Sequence, residues 1–411
     1  MTLLHITTVP QTLGFMLRQI LFMHENGWRV HVIASRGKYE ATLQSHSIPF
    51  HPVEMRRRIT PFRDLWAIAK LWKTMRRIRP TVVHAHTPKA GLLGMISAKL
   101  ARVPVRVFHV HGLPHLTACG LKYGLLVLAT KVACTLAQRV FCISPSIRQI
   151  LIDDNLCRED KVVVPVNGSS GGVDALDRFN PARMSKLTGK AVRARYGVPA
   201  SAFAAAFVGR LVRDKGLIEL CKAWTMLRSD YPDLFLLIVG EFEPQDPVPS
   251  DVVETFRADP RIRLTGYCAD MPELFAGIDL LVFPSYREGF GNVLLEAAAM
   301  SLPVVATAIP GCVDAVLDNV TGTLVPLHDA SALAKAIERY INDPELRLNH
   351  GVRARERVLQ DFQAEPIWEF ISAEYGGLLS RQGLHSPLGP SGGRRPASVG
   401  APAVEAESIV G

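Results

Sequence analysis

Paired cysteines and acidic metal motifs are missing from this sequence of 411 residues. Its seven cysteines are scattered, odd in number and never spaced as C-x-x-C. That pattern argues against a disulfide framework or a cysteine-based zinc site and favours a reducing cytoplasm. No Asp-x-Asp occurs anywhere in the chain, so the sequence offers no obvious Mg²⁺ site. We therefore expect no metal and no cofactor.

Long uninterrupted apolar runs are also missing. The longest, Leu121 to Ala137, contains Lys122 and Lys131, and both would be costly near the centre of a bilayer. We expect a buried or membrane-facing helix there, not a spanning one. The first residues lack a basic region followed by a long apolar stretch. They are interpreted as a β-strand and not as a signal peptide.

Positive charge is abundant and uneven. The net charge is +9, yet residues 51–110 alone contain thirteen Lys or Arg against two acids, a local excess of +11. Between residues 62 and 79, apolar residues recur at helical spacing, and we expect this stripe to pack on a sheet. The surplus charge favours an anionic membrane surface, whereas no base-stacking or reading motif indicates nucleic acid. The stripe is Leu65, Ile68, Trp72 and Met75, and the basic residues include Arg56, Arg57, Arg58, Arg76 and Arg77.

Short β-branched runs alternate with amphipathic helical stretches in both halves of the chain. This pattern predicts the α/β class, with parallel sheets covered by helices on both faces. The length implies two domains, and the rhythm breaks around residues 177–202. We place domains at 1–185 and 186–365, a final helix at 366–380 and a disordered tail at 381–411. The predicted strands are 3–7, 30–34, 82–84, 106–110, 140–143 and 162–164, then 204–208, 235–239, 262–264, 280–283, 304–306 and 323–325.

The segment from Glu288 to Glu296 places two carboxylates eight residues apart across a Gly-rich turn that leads into a helix. Gly289 and Gly291 let backbone N–H groups approach a ligand closely. The helix that begins near Asn292 directs its positive end to the same place. The alternative is a strand–loop–helix junction with two solvated glutamates. The pattern suits a nucleotide-sugar, with amides on phosphate and carboxylates on sugar and ribose hydroxyls.

Other chemically suggestive groups also follow predicted strands, where ligands of doubly wound sheets bind. Arg210 and Lys215, in the segment that begins at Gly209, suit a diphosphate, although Arg210 could instead pair with an acid such as Glu296 or Asp214. Histidines follow two neighbouring strands of the first half, and His111 beside Gly112 is the best placed. The remaining candidates are His84, His86 and Lys89 after one strand, and the loop of residues 8–14, with a single glycine, Gly14, after the first strand.

Taken together, these segments resemble the retaining glycosyltransferases of family 4, which have the two-Rossmann-domain GT-B architecture. The resemblance spans residues 1–375 and rests on residues 209–216, 288–296, 303–311 and 321–326. Residues 84–91, 110–114 and 167–174 resemble a narrower subgroup. Its members typically extend polyprenol-diphosphate-linked sugars in the assembly of bacterial capsule, exopolysaccharide or O-antigen, and they bind the membrane peripherally.

The resemblance implies a role for each matching residue. Arg210 and Lys215 would bind the donor diphosphate, Glu288 the sugar hydroxyls and Glu296 the ribose. His111 would hydrogen-bond the donor sugar, and Gly14 would let the first loop approach the phosphate. That loop departs from the family pattern because it lacks paired glycines. The backbone of the turn, at Phe290, Gly291, Asn292 and Val293, would surround the phosphate and sugar.

The resulting expectation is a metal-independent enzyme that moves a hexose or N-acetylhexosamine, with retention, from a UDP-sugar to an undecaprenyl-diphosphate-linked saccharide. Its expected place is the cytoplasm, on the inner face of the cell membrane. Retention without an evident nucleophile suggests front-face attack, and Glu288 as a covalent nucleophile is the less favoured route. Two other functions stay open: a UDP-sugar epimerase of the same fold, and a non-catalytic nucleotide-sugar-binding subunit.

Overall fold

Two parallel sheets form the framework of the computed structural model, which describes residues 1–56, 59–169, 171–244 and 246–387. The first sheet has seven strands in the order β3-β2-β1-β4-β5-β6-β7, and every pairing is parallel. Because the order reverses between β1 and β4, the carboxyl edge there is a topological switch point, where such sheets bind ligands. The strands are β1 Thr2–Ile6, β2 Arg29–Ala34, β3 Phe50–Pro52, β4 Val82–His86, β5 Val105–Val110, β6 Arg139–Cys142 and β7 Val162–Val163.

The second sheet has six parallel strands in the order β10-β9-β8-β11-β12-β13. Its switch point lies between β8 and β11, so the segments that follow these two strands meet at one edge. The strands are β8 Phe203–Val208, β9 Leu234–Val239, β10 Ile262–Gly266, β11 Leu280–Phe283, β12 Val304–Thr307 and β13 Gly322–Val325.

Helices connect the strands and cover both faces of each sheet. Proline opens five of them, a position at which its missing N–H has no helical partner in any case. The helices of the first half are α1 Pro10–Glu25, α2 Tyr39–Ser45, α3 Pro61–Ile78, α4 Pro88–Leu100, α5 Gly120–Leu136 and α6 Pro145–Asp153. Those of the second half are α7 Lys186–Arg195, α8 Leu217–Leu227, α9 Ser250–Ala258, α10 Met271–Ala276, α11 Asn292–Ala299, α12 Cys312–Ala315, α13 Ala330–Asn342, α14 Pro344–Asp361 and α15 Ala364–Ser380.

The last helix, α15, returns to the first sheet. Trp368, Ile371 and Tyr375 are buried there, together with Trp28 and the inner residues of α1. Arg139 of β6 pairs with Glu374 of α15 at 2.8 Å. One face of the first sheet is therefore completed by residues from the far end of the chain.

All twelve predicted strands are present, and the α/β class with two Rossmann-like sheets is confirmed. Sequence reasoning missed β3, because Phe50–Pro52 is only three residues long and contains a proline, which lacks a backbone donor. The structure describes the first residues of the predicted tail. Residues 381–383 form a turn, and Leu384 packs against the core under α15. The rest of the predicted tail lies outside the described residues.

The prediction for the apolar stripe of α3 was partly wrong. Met75 is buried, but Leu65 and Trp72 are exposed. The residues of α3 that are buried against the first domain are rotated around the helix relative to the predicted stripe. They are Ala67, Leu71, Thr74 and Met75. The basic segment between residues 61 and 78 therefore carries large apolar side chains on its outer side.

The apolar run at residues 121–137 forms α5, which packs against α4 through a narrow strip. Its buried residues are Thr130, Ala133 and Cys134, whereas Leu121 is 83% exposed. In the part of the chain that the structure describes, no helix is both long and apolar enough to cross a bilayer.

Candidate active site

An ion pair between Lys215 and Glu288 lies at the carboxyl edge of the second sheet. The Nζ of Lys215 bonds to Oε1 of Glu288, which also accepts a hydrogen bond from Ser285 Oγ at 2.9 Å. The two side chains are only 15% and 14% exposed. Lys215 Nζ also lies 5.0 Å from the ring centroid of Phe283, a cation–π distance. The two groups predicted to bind diphosphate and sugar thus neutralise each other before any ligand arrives.

Glycines allow the loops around this pair to approach closely. Gly216 has φ +70°, and a Cβ added there would lie 1.8 Å from the carbonyl oxygen of Pro284. The start of α8 can therefore touch the segment that leads to Glu288 only if this residue is glycine. A Cβ at Gly209 would lie 4.0 Å from Cε of Lys215, so the end of β8 runs beside the lysine stem.

The two sheets meet at the Gly-rich turn. A Cβ at Gly289 would lie 2.0 Å from the carbonyl oxygen of His111, and one at Gly311 would lie 2.6 Å from the carbonyl oxygen of Gly289. The turn that follows Glu288 is therefore in backbone contact with the segment after β5. His111 is half-buried, and burial lowers its pKa to about 4, so the ring is neutral near pH 7.

The turn continues into α11, whose first residues follow Gly291 at φ +77°. Phe290 is buried and its ring lies 5.4 Å from that of Phe362, so this side chain packs into the core and leaves only the backbone to contact a ligand. Asn292 accepts a hydrogen bond from Ser169 Oγ of the first half at 3.5 Å. The positive end of α11 therefore points to the same junction as Lys215 and His111.

Glu296 lies one turn inside α11 and is half-buried. Burial raises its pKa to about 7, and the positive charge of Arg178 opposes that rise. A carboxyl group that titrates near neutral pH can accept hydrogen bonds from ribose hydroxyls most strongly once it is ionised.

The chain matches two family models. Residues 190–357 match the model of glycosyl transferases group 1, and residues 16–168 match that of glycosyltransferase family 4. The capsular polysaccharide biosynthesis glycosyltransferase CapM of Staphylococcus aureus is 33% identical over 376 residues, which cover 91% of this chain and 97% of CapM. The chain is a family 4 glycosyltransferase. A second relative is the UDP-Gal:α-D-GlcNAc-diphosphoundecaprenol α-1,3-galactosyltransferase of Escherichia coli. It is 28% identical over 310 residues, which cover 74% of this chain and 78% of that protein.

Solved structures agree with the GT-B architecture. Anabaena Alr3699/HepE in complex with UDP-glucose superposes with a TM-score of 0.76 at 24% identity, over 92% of this chain and 100% of HepE. A glycosyltransferase from Rickettsia africae superposes with a TM-score of 0.76 at 21% identity, over 92% of this chain and 98% of the Rickettsia chain. At these identities the likeness establishes the fold alone.

In this glycosyltransferase, Arg210 is engaged with a neighbouring acid, and its diphosphate contact stays a prediction. Its guanidinium is exposed and pairs with Glu243 at 2.8 Å. The alternative suggested by the sequence, that Arg210 pairs with an acid, therefore holds in this structure, but the acid is Glu243. Asp214 pairs instead with Arg287 at 2.9 Å, and Glu296 forms no ion pair within the described residues. Glu243 belongs to the segment after β9, and sequence reasoning did not single out this residue.

The histidines of β4 do not lie at the surface. His84 and His86 are fully buried inside this strand, so the expectation of an acceptor-facing or membrane-facing surface there was wrong. The physical reason is the return of α15, which closes that face of the sheet. Lys89 is mostly buried as well, and its Nζ lies 2.7 Å from Asp64 of α3.

The first loop is shorter than predicted. α1 begins at Pro10, so Gly14 lies inside the helix, where an added Cβ would be 2.4 Å from the hydroxyl of Tyr39. Its phosphate contact stays a prediction. Of the predicted membrane-facing arginines, Arg76 and Arg77 are exposed, Arg56 is exposed beside Glu54, and Arg57 and Arg58 lie outside the described residues.

A contact between Ser146 and Asp314 was missed by sequence reasoning. Ser146 Oγ donates to the Asp314 carboxylate and accepts from the N–H of Gly311 at 2.9 Å. Ser146 lies in the first turn of α6, whereas Gly311 and Asp314 belong to the segment after β12. This contact joins the two domains beside Gly289. No local pattern could have identified it, because the partners are 168 residues apart.

Proposed function

We propose that this glycosyltransferase moves a hexose or N-acetylhexosamine from a UDP-sugar, with retention, to an undecaprenyl-diphosphate-linked saccharide in capsule, exopolysaccharide or O-antigen assembly. The observation that carries the proposal is the Lys215–Glu288 pair, held at the junction where Gly289 meets His111. The similarity to CapM supports a role in polysaccharide assembly, and the similarity to the E. coli galactosyltransferase supports a lipid-linked acceptor. The UDP-galactose donor named for the E. coli relative supports the donor class.

The proposed reaction needs positive charge where the diphosphate departs. A donor diphosphate that reaches the junction offers Lys215 a second anion, while Glu288 turns to the sugar hydroxyls. The start of α11 and Arg210 add to the stabilisation of the leaving group, which does not then require Mg²⁺. The acceptor oxygen attacks the anomeric carbon on the face from which the diphosphate leaves. The leaving phosphate oxygen takes the acceptor's proton as the new C–O bond forms.

A membrane surface fits the outer side of the first domain. We define the apolar–basic face as Phe62, Leu65, Trp66 and Trp72 of α3 and Leu121, Leu125 and Leu128 of α5, all exposed. Both helices flank α4 on one face of the first sheet. Lys70 lies 4.9 Å from the ring of Trp66, and Arg76 and Arg77 add charge. Exposed tryptophan, leucine and basic residues together suit the headgroup region of anionic lipids. We infer that the enzyme binds the inner face of the cell membrane peripherally.

The direct test is transfer of label into lipid. The full-length protein is incubated with vesicles that contain an undecaprenyl-diphosphate-linked monosaccharide. Separate reactions receive radiolabelled UDP-glucose, UDP-galactose or UDP-N-acetylglucosamine. We expect one donor to label the lipid fraction in a chelator-treated reaction, and NMR of the released product should show the anomeric configuration of the donor.

Three results would overturn the proposal. Isomerised free sugar-nucleotide without labelled lipid would indicate an epimerase. Donor binding without turnover on any lipid acceptor would indicate a binding subunit. An inverted anomeric centre would remove the front-face mechanism.

A further inference from the structure

Five imidazoles lie together under α15 at the carboxyl edge of the first sheet. The register pairs His5 of β1 with His84 of β4, and His86 with His109 of β5. Residues two apart in a strand share a face, so His84 with His86 and His109 with His111 point the same way. Neighbouring ring centroids in the group are 4.0–5.6 Å apart. All of these rings except that of His111 are buried.

The hydrogen bonds of this group are incomplete. His86 Nδ1 lies 3.0 Å from His111 Nε2, and His86 Nε2 lies 3.1 Å from His5 Nδ1. Both ring nitrogens of His109 are buried without a partner among the described residues. A neutral imidazole always carries one N–H, so the His109 ring buries an unsatisfied donor, which is costly in an apolar interior.

Metal coordination would resolve this deficit. His86, His109 and His111 each offer a ring nitrogen, and the three atoms lie within 4.8 Å of one another. The 3.0 Å between His86 and His111 is close to the spacing of about 3.3 Å between nitrogens of a tetrahedral Zn²⁺ site. Imidazole nitrogens without carboxylates select Zn²⁺, Co²⁺, Ni²⁺ or Cu²⁺ over Mg²⁺.

The surroundings suit this triad better than the alternative one. If His86 binds an ion through Nδ1, its Nε2–H donates to His5 Nδ1, which is the outer hydrogen bond that orients most metal-binding histidines. The other possible triad, His5, His84 and His86, is fully buried, and His84 is engaged with the Tyr375 hydroxyl. His111 alone retains partial exposure and offers an entry from the domain junction.

We propose that His86, His109 and His111 form a binding site for one late first-row divalent transition-metal ion, of the Zn²⁺ class. This site adjoins the donor junction through His111, and it differs in ligand chemistry from an Asp-x-Asp Mg²⁺ site. It does not depend on the proposed transfer reaction, because metal binding is measured without donor or acceptor.

The test uses the full-length protein without an affinity tag. The protein is stripped with a chelator, reloaded with Co²⁺ or Zn²⁺, desalted and analysed by elemental mass spectrometry. We expect about one ion per chain and visible Co²⁺ absorption bands typical of four- or five-coordinate nitrogen ligation. Retention below roughly one tenth of an equivalent by the wild-type protein would overturn the proposal, whatever the variants do.

Two variants and a control locate the ion. His109→Phe and His111→Gln should each weaken Zn²⁺ affinity at least tenfold, as measured by competition with a chromophoric chelator. His51→Phe is the control, because His51 forms a half-buried pair with His31 at 3.0 Å, far from the triad in the sheet order. It should retain the ion. Equal retention by all three variants would mean that surface histidines hold the metal, and would overturn the assignment.

Discussion

At the residue scale, the pairing of Lys215 with Glu288 changes how the donor site is understood. Sequence reasoning gave the lysine to diphosphate and the glutamate to sugar, as independent contacts. In the folded protein each is the other's partner, and both are largely withdrawn from water. The pair keeps two charges neutralised in the free enzyme, and donor binding must exchange that bond for contacts with phosphate and hydroxyls.

Substitution of the lysine tests this exchange. We expect Lys215→Ala to lower kcat at least tenfold with saturating donor, because the charge that stabilises the leaving diphosphate is lost. Lys222→Ala is the matched control, since Lys222 is exposed on the neighbouring helix and should keep normal turnover. Steady-state transfer at several donor concentrations measures both.

Arg210 should respond similarly if it swings from Glu243 to the diphosphate. We expect Arg210→Ala to lower kcat at least tenfold under the same conditions. Glu243→Gln should leave Arg210 free of its exposed partner and change kcat little. A normal rate in Arg210→Ala would show that the arginine stays at the surface during the reaction.

Glu296 provides a pH-dependent prediction. Because burial raises its pKa to about 7, the carboxyl is mostly protonated at pH 6 and mostly ionised at pH 8. Ionised, it accepts stronger hydrogen bonds from ribose hydroxyls. We expect UDP to bind several-fold more tightly at pH 8 than at pH 6, as measured by calorimetry. Glu296→Gln should remove most of this difference, and an unchanged pH dependence in that variant would contradict the assignment.

At the scale of elements, α3 and α5 each have one side that packs on the protein and one side that is exposed. Each packs a narrow inner strip on the first domain, and each carries large apolar side chains outward. The apolar stripe that periodicity identified in α3 is displaced around the helix, because the side that packs inward carries Ala67, Leu71 and Met75. Leu65, Trp66 and Trp72 lie outside, beside basic groups.

Membrane binding should depend on these outward residues. We expect the double variant Phe62→Ser with Leu65→Ser to weaken binding to anionic vesicles at least tenfold in sedimentation assays, because burial of each side chain in lipid contributes about 1.5–3 kcal/mol. The thermal unfolding temperature should stay unchanged, since the two side chains are 89% and 65% exposed.

Leu348→Ser is the matched control for this element. Leu348 is 66% exposed on α14 of the second domain, away from the apolar–basic face. It should leave vesicle binding intact. Equal losses in the double variant and in Leu348→Ser would mean that general surface hydrophobicity, and not α3, governs association.

At the scale of the whole molecule, the return of α15 decides which strand-end groups are accessible. Tyr375 of this helix hydrogen-bonds His84 of β4, 291 residues earlier in the chain. The same helix buries Trp28 and the inner face of α1. The last structured helix is thus part of the first domain's core and separates the buried histidines from solvent.

Loss of the tyrosine hydroxyl should destabilise the whole chain. In Tyr375→Phe, both nitrogens of the buried His84 ring lack a partner among the described residues, and we expect the free energy of unfolding to fall by about 1–3 kcal/mol. Urea unfolding followed by circular dichroism measures the change. Tyr123→Phe, at an exposed position of α5, should be neutral. A neutral Tyr375→Phe would mean that another group satisfies His84.

The sequence by itself determined the α/β class, twelve of the thirteen strands and the Gly-rich turn before α11. These depend on local signals: β-branched runs, helix periodicity, prolines at helix starts and glycines at close approaches. Only the tertiary structure decided the pairing of Lys215 with Glu288, the position of Arg210 beside Glu243, the outward side of α3 and the burial of His84 and His86. Each of these depends on contacts between segments far apart in the chain. Local pattern carries no information about which distant side chain will neutralise a charge or cover a face.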